Sequence, residues 1–160
     1  MIKLISLLIY NIMRIFVLKL IHPNRFNVHL IQRISPSASL ITSGKGKFNI
    51  GYNTEISKGC DFEAHGDGVI SIGTGTYFNR YCMISAQRSV TIGAHCMFGP
   101  GVKIFDNNHK FSKEKGVSSQ LKCDDIHIGN RCWIASDAII LKGTHIGDNC
   151  VIGAGCIVSG

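Results

Sequence analysis

Apolar residues recur every six positions along the C-terminal part of the sequence. From residue 128 onward the recurring positions are Ile128, Ile134, Ile140, Ile146, Ile152 and Val158. Earlier blocks that begin at Ile50, Ile72 and Ile92 keep the same spacing. Neither the 3.6-residue period of a helix nor the two-residue period of a strand produces a strict six. A coil of three short strands does, because each six-residue unit turns one corner and points one apolar side chain inward.

Five Ile-Gly pairs mark where successive coils begin: Ile50-Gly51, Ile72-Gly73, Ile92-Gly93, Ile128-Gly129 and Ile146-Gly147. About five coils, stacked at the inter-strand spacing of about 4.8 Å, would form a column about 24 Å tall. The extra residues of the longer coils all follow the third six-residue unit, at one corner. The largest addition, residues 106–125, is predicted to be a polar loop, and loops on a rigid scaffold often carry function.

The cysteines support the same phase. Six of the seven occupy a slot four residues after an inward apolar position, where a compact side chain fits near a corner: Cys60, Cys82, Cys96, Cys132, Cys150 and Cys156. Only Cys123 lies outside the pattern. Because the coil period accounts for the spacing and no C-x-x-C occurs, we expect neither a disulfide framework nor a zinc site. Free thiols favour a reducing cytosol.

The positive charge is confined to the first third of the chain. The net charge is +7, and no Asp or Glu precedes Glu55, whereas seven Lys and Arg residues do. After that point basic and acidic residues balance. A basic stripe across the main domain, which a nucleic-acid binder would need, is therefore excluded, and no nucleic-acid partner is expected.

Residues 1–34 are predicted to form a separate N-terminal segment. Residues 1–21 contain 16 apolar residues and fit a very apolar amphipathic helix whose polar arc includes Asn11 and Arg14. Three interpretations stay open: the helix caps the main domain or packs on another subunit, it lies on an anionic membrane surface, or it spans the bilayer. Arg25 and Arg33 would add attraction to a membrane. A cytoplasmic location, or one at the inner face of the membrane, fits these features.

The hexapeptides, above all residues 128–155, resemble the left-handed β-helix acyltransferases, and within that superfamily the sugar O-acetyltransferases of galactosides, maltose, capsule and O-antigen. The similarity covers about residues 50–160. It implies an all-β fold, with a left-handed parallel β-helix over residues 35–160. It also implies transfer of acetyl from acetyl-CoA to a sugar or glycan hydroxyl in surface polysaccharide biosynthesis. Members are homotrimers, and no metal is expected.

The resemblance also implies site residues. His109, which follows Ile104 in the predicted loop, matches the general base of the family. Asn79 matches an Asn that contacts the acceptor, and Asp106 is a candidate to orient the histidine or bind substrate. The groove for the cofactor would run along six further positions: Trp133, Ala135, Ser136, Gly153, Ala154 and Ser159.

The sequence departs from the family in two places. The His-Pro and Arg of galactoside and maltose enzymes are absent after His109, which shifts the expected acceptor toward polysaccharide or lipid-linked glycans. The chain stops at Gly160, before the Lys and Gly-x-Pro segment of its relatives, and is interpreted as truncated. The alternatives are N-acyl transfer to a nucleotide sugar, a scaffold without chemistry, and a γ-carbonic-anhydrase-like metal site at His109, His127 and His145.

Overall fold

The computed structural model describes residues 2–160. One helix, α1 (Ile2–Ile21), precedes six coils of three strands each. In chain order the coils are β1 (Phe26–Val28), β2 (Arg33–Ile34), β3 (Ser39–Thr42); β4 (Lys47–Ile50), β5 (Glu55–Ile56), β6 (Asp61–Ala64); β7 (Val69–Ile72), β8 (Tyr77–Phe78), β9 (Met83–Ala86); β10 (Ser89–Ile92), β11 (Met97–Phe98), β12 (Lys103–Phe105); then, after a hairpin of β13 (Asn107–Ser112) and β14 (Gly116–Cys123), β15 (Ile126–Ile128), β16 (Trp133–Ile134), β17 (Ile139–Leu141); β18 (His145–Ile146), β19 (Val151–Ile152), β20 (Ile157–Val158).

The strands stack into three parallel sheets that run the length of the column. Sheet A contains the first strand of every coil, in the order β1-β4-β7-β10-β15-β18. Sheet B contains the second strands and sheet C the third strands, each with six members. The registers keep equivalent residues together, as in Ile50↔Ile72 and Ile92↔Ile128. The parallel β-helix is therefore confirmed, while its left-handed winding stays a prediction of the resemblance.

The column has six coils, whereas about five were predicted. The additional coil begins with β1 at Phe26, inside the stretch assigned to the N-terminal segment. It has no Ile-Gly pair, since Val28-His29 stands in that place, and its corner slots hold Gln32 and Ala38 rather than cysteine. Both sequence markers of a coil are thus missing there, although the backbone pairing with β4 is complete.

The predicted inward positions form the core. Phe62, Phe78 and Phe98 are fully buried in three successive coils: Phe62 meets Phe78 edge to face and Phe78 stacks on Phe98, with ring centroids 4.9 and 4.4 Å apart. The glycine of an Ile-Gly pair lies where the backbones of two successive coils approach each other closely. A Cβ atom on Gly93 would lie 2.6 Å from the carbonyl carbon of Gly129, so only glycine fits there.

Cysteine and threonine in the corner slots bond to the neighbouring coil. The thiols of Cys96 and Cys132 donate to the carbonyls of Gly129 and Gly147, each at 3.0 Å. A hydrogen bond with Cys60, together with burial, raises the pKa of the Cys82 thiol far above its usual range, so this thiol stays protonated. All seven cysteines are free within the described residues. For the six cysteines other than Cys123, placement in the corners explains the spacing without a disulfide.

Residues 106–125 form a hairpin rather than the predicted polar loop. Strands β13 and β14 pair antiparallel, from Asn107↔Cys123 at the base to Ser112↔Gly116 at the tip. The hairpin leaves the column at the corner between sheets C and A, where the other long coils also hold their extra residues. Both of its faces are largely exposed, so it lies outside the apolar core.

Candidate active site

Asp106 fixes the base of the hairpin to the coil beneath it. The side chain is fully buried. Its carboxylate accepts the backbone N–H of Arg88 at 2.7 Å and that of Gln87 at 2.8 Å. The amide of Asn107 donates to it at 3.0 Å, and the backbone carbonyl accepts the N–H of Asp124 at 2.9 Å. Because these donors occupy the carboxylate, Asp106 anchors the hairpin to the coil. The resemblance had made it a candidate to orient His109 or to bind substrate.

His109 lies on β13, exposed, opposite Leu121 of β14. Its Nδ1 is 3.0 Å from the carbonyl oxygen of Ser118. A carbonyl oxygen can only accept a hydrogen bond, so Nδ1 carries the proton of the neutral ring and Nε2 is left as the acceptor. The hairpin's own backbone, rather than Asp106, thus orients the ring and selects the tautomer that a general base needs.

A cavity of about 350 Å³ opens beside His109. Lys110 and Lys122 of the hairpin line it, together with Lys142 from the corner between β17 and β18. Phe111 adds an apolar wall. The lining of this cavity includes three lysines and no acidic residue, which suits an anionic reactant.

Sequence reasoning missed these four cavity residues. The signal available for Lys110, Phe111 and Lys122 was their position on the two sides of Gly116, which fits a hairpin, and the sequence held no such signal for Lys142. A larger cavity of about 570 Å³ lies elsewhere, along the outer face of sheet A beside Asn27, His29 and Asn49. None of the predicted site residues lines it, so its size does not make it the better candidate.

Asn79 lies at a different corner, between sheets B and C, one coil before His109 leaves the column. Its side-chain oxygen accepts the backbone N–H of Arg80 at 2.8 Å, and its carbonyl accepts the Cys60 thiol. The side chain is half-buried in a turn that continues into Tyr81, which has a positive φ of 61°. Within one chain, therefore, Asn79 and His109 belong to separate edges of the column.

The predicted cofactor positions divide between two edges. Trp133 is exposed on the outer face of sheet B, between Met97 and Val151, with which it pairs in register. Four others follow that sheet and stack in the two last corners between sheets B and C: Ala135, Ser136, Gly153 and Ala154. Ser159 lies after β20, on the side of the column from which the hairpin emerges. The first five thus form a continuous strip, which Ser159 does not join.

The histidines of the metal alternative do not come together. His127 and His145 are register partners on sheet A, with ring centroids 6.3 Å apart, while His109 is bonded to Ser118 on the hairpin. Across residues 2–160, no group of three or more His, Cys, Asp or Glu side chains is placed to hold a metal ion.

Comparison with known sequences identifies the repeat. Residues 125–160 match the family described as "Bacterial transferase hexapeptide (six repeats)". The last two coils therefore match the hexapeptide repeat, and the coils before them continue the same three parallel sheets.

Among curated proteins it is similar to the galactoside O-acetyltransferase of Escherichia coli, with 39% identity over 71 residues, or 44% of this chain and 35% of that protein. It is also similar to the putative lipopolysaccharide biosynthesis O-acetyl transferase WbbJ of Escherichia coli, with 34% identity over 89 residues, or 50% of this chain and 45% of that protein. The chain thus spans less than half the length of either relative in these matches.

Solved structures share the fold at low sequence identity. A hexapeptide-repeat acetyltransferase of Vibrio cholerae, complexed with acetyl coenzyme A, covers 98% of this chain at a TM-score of 0.56 and 19% identity. The match covers 76% of that protein. A second solved structure is a mutant of AntD, an N-acyltransferase from Bacillus cereus in complex with dTDP and coenzyme A. The match covers 89% of this chain and 77% of that protein, at a TM-score of 0.70 and 18% identity. At these identities the likeness concerns the fold.

Proposed function

We propose that the chain is an acetyl-CoA-dependent O-acetyltransferase that acts on a sugar hydroxyl of a surface glycan. The observation that carries the proposal is the state of His109, which is exposed on the hairpin and held by the Ser118 carbonyl with Nε2 as acceptor. The similarity to a galactoside O-acetyltransferase and to a putative lipopolysaccharide O-acetyl transferase supports the substrate class. The three lysines of the cavity fit a donor that carries phosphates.

The proposed reaction uses His109 as general base and then as general acid. Nε2 accepts the proton of the sugar hydroxyl while that oxygen attacks the thioester carbonyl carbon of acetyl-CoA. The tetrahedral intermediate collapses with cleavage of the carbon–sulfur bond, and the imidazolium returns the proton to the departing thiolate. The acetyl ester and free CoA are the products, so no other reactant is required.

We further propose that the complete site lies between columns of a homotrimer. Asn79 and the strip from Trp133 to Ala154 both follow strands of sheet B, whereas His109 lies at the corner between sheets C and A of the same column. A neighbouring column could bring one chain's sheet B strip to another chain's hairpin. Light scattering should then give three times 17.5 kDa, whereas a monomer at micromolar concentration would contradict a shared site.

The test of function compares two exposed histidines. His109→Ala should lower acetyl transfer by about 10²–10⁴, the usual contribution of general base catalysis, and leave acetyl-CoA affinity near that of the wild type. His127→Ala, which removes an exposed imidazole from sheet A, is the matched control and should retain activity. CoA release would be followed with galactosides and polysaccharide repeat-unit oligosaccharides as acceptors.

The pH dependence supplies a second criterion. In the wild type, kcat/KM should rise with pH as the general base loses its proton, and this rise should vanish in His109→Ala. Near-normal turnover of His109→Ala would overturn the base assignment. CoA release with nucleotide-sugar amines but with none of the hydroxyl acceptors would overturn the O-acetyl assignment.

A further inference from the structure

Helix α1 places its polar side chains against the column. Asn11 is fully buried, and its amide donates to the carbonyl of Ile34 at 3.0 Å. The Arg14 guanidinium donates to the carbonyls of Ser35 and Ala38, at 3.3 and 2.8 Å. The carbonyls of Ile34 and Ala38 belong to the first coil, at positions where later coils accept an N–H from the coil before them. The helix therefore satisfies the exposed end of the sheets, which is also where edge strands invite unwanted pairing.

The opposite half of the helix surface is apolar and faces solvent. At 100° per residue, the arc centred on Leu20 spans about half the circumference and contains no charged residue. Its exposed apolar members are Ile5, Ile9, Tyr10, Ile12, Met13, Phe16, Val17 and Leu20, with Leu20 72% and Met13 60% exposed. This is the reverse of a surface helix of a globular protein, which buries its apolar stripe against the core. A contiguous apolar face of this kind marks an interaction surface.

Charge indicates what covers this face. Lys19 flanks the apolar arc, and Arg25 before the first coil and Lys47 in the second add positive charge, in a region of the sequence that holds seven basic residues and no acidic residue before Glu55. Two copies of this chain meeting through α1 would bring like charges together, which disfavours self-association. An anionic lipid surface matches both the apolar arc and its cationic flank.

The contacts of α1 also fix how it would meet a bilayer. Leu4–Ile21 is long and apolar enough to span a membrane. However, Asn11 and Arg14 in the middle of the helix are hydrogen-bonded to the column, so one side of the helix faces protein along its length. A perpendicular crossing would break these bonds and place Arg14 in the hydrocarbon, at a substantial cost. We infer that α1 is a monotopic anchor that lies in the interface of an anionic membrane with its outer face immersed.

The experiment measures flotation of the full-length chain with vesicles, which does not depend on acetyl transfer. The wild type should bind vesicles of phosphatidylcholine with about 30% phosphatidylglycerol, should bind pure phosphatidylcholine more weakly, and should lose part of its binding in high salt. The double variant Phe16→Glu/Leu20→Glu should reduce the partition coefficient by at least about tenfold. Val117→Glu, at an equally exposed apolar residue of the hairpin, is the control and should bind like the wild type.

A second readout guards against misfolding of the charged variant. Phe16→Trp should be quenched by brominated lipids in anionic vesicles, and Val117→Trp should not. Three outcomes would overturn the inference: equal binding of the double variant and the wild type, resistance of the bound protein to alkaline carbonate, which indicates a span, or a change only in oligomeric mass, which indicates a second copy as the partner.

Discussion

The coil and the β13–β14 hairpin differ in what their side chains face. Each strand of the coil buries its alternate residues, and Phe78 and Phe98 stack within 4.4 Å inside the column. In the hairpin nearly every side chain is exposed, including His109 and Phe111. Stability is therefore concentrated in the coil and the proposed chemistry in the hairpin, with Asp106 at the junction. Substitutions in the coil should therefore lower stability, and substitutions in the hairpin should lower activity.

Removing the hairpin is the strongest way to break this comparison. Replacing residues 107–123 with two glycines shortens the corner to a length close to that of Gln87-Arg88 in the third coil. We expect acetyl transfer to fall by more than about 10³, because the proposed base is removed. Thermal unfolding of the column should change by only a few degrees. Retained activity would show that the chemistry lies elsewhere.

A cavity in the column should have the opposite effect. Phe78→Ala removes a fully buried ring between Phe62 and Phe98 and should lower the free energy of unfolding by about 3–5 kcal/mol. Phe111→Ala removes a ring that is 76% exposed and should change it by less than about 0.5 kcal/mol. Urea denaturation measures both. Equal losses would mean that the hairpin contributes to the core.

Asp106 should affect both properties. Asp106→Ala leaves the N–H groups of Gln87 and Arg88 without their acceptor, and we expect a loss of about 2–3 kcal/mol in the free energy of unfolding. Asp106→Asn keeps one acceptor oxygen and should lose less. Because the hairpin base is loosened, kcat/KM should fall in parallel with stability in both variants. Full activity with reduced stability would show that Asp106 stabilises the fold but does not support the active site.

The coil could be predicted from the sequence because its core requires an apolar residue every six positions. This period is regular from Ile128 to Val158. The first coil was missed because Gln32 and Ala38 replace the usual markers. The hairpin exposes both faces, so no apolar period reveals it. The partners of Asp106 lie 18 and 19 residues away in the preceding coil, and only the stacking brings them together. Amphipathicity predicted α1, but not that its polar arc faces the column, because that depends on the carbonyls of Ile34 and Ala38.

The smallest expected effect tests the outer face of the coil. Asp61 of β6 has one carboxylate oxygen, Oδ1, that is buried without a hydrogen-bond partner among the described residues. Burial first, and the charge of Glu63 second, raise the pKa of Asp61, which His65 partly opposes. The folded pKa then exceeds the unfolded one, so the ionised carboxylate costs stability above the folded pKa, and this cost disappears as the pH falls below the unfolded pKa.

Asp61→Asn should therefore be more stable than the wild type at pH 7, by up to about 0.5 kcal/mol, and the difference should shrink toward zero near pH 4. Asp67→Asn is the control, because the Asp67 side chain is 82% exposed and its ion pair with Lys45 is long at 3.7 Å. Parallel urea titrations at the two pH values measure the difference. An Asp61→Asn protein that is less stable at both would show that the carboxylate is satisfied on the surface of the coil, and the coil's outer face would then be as tolerant of charge as the hairpin.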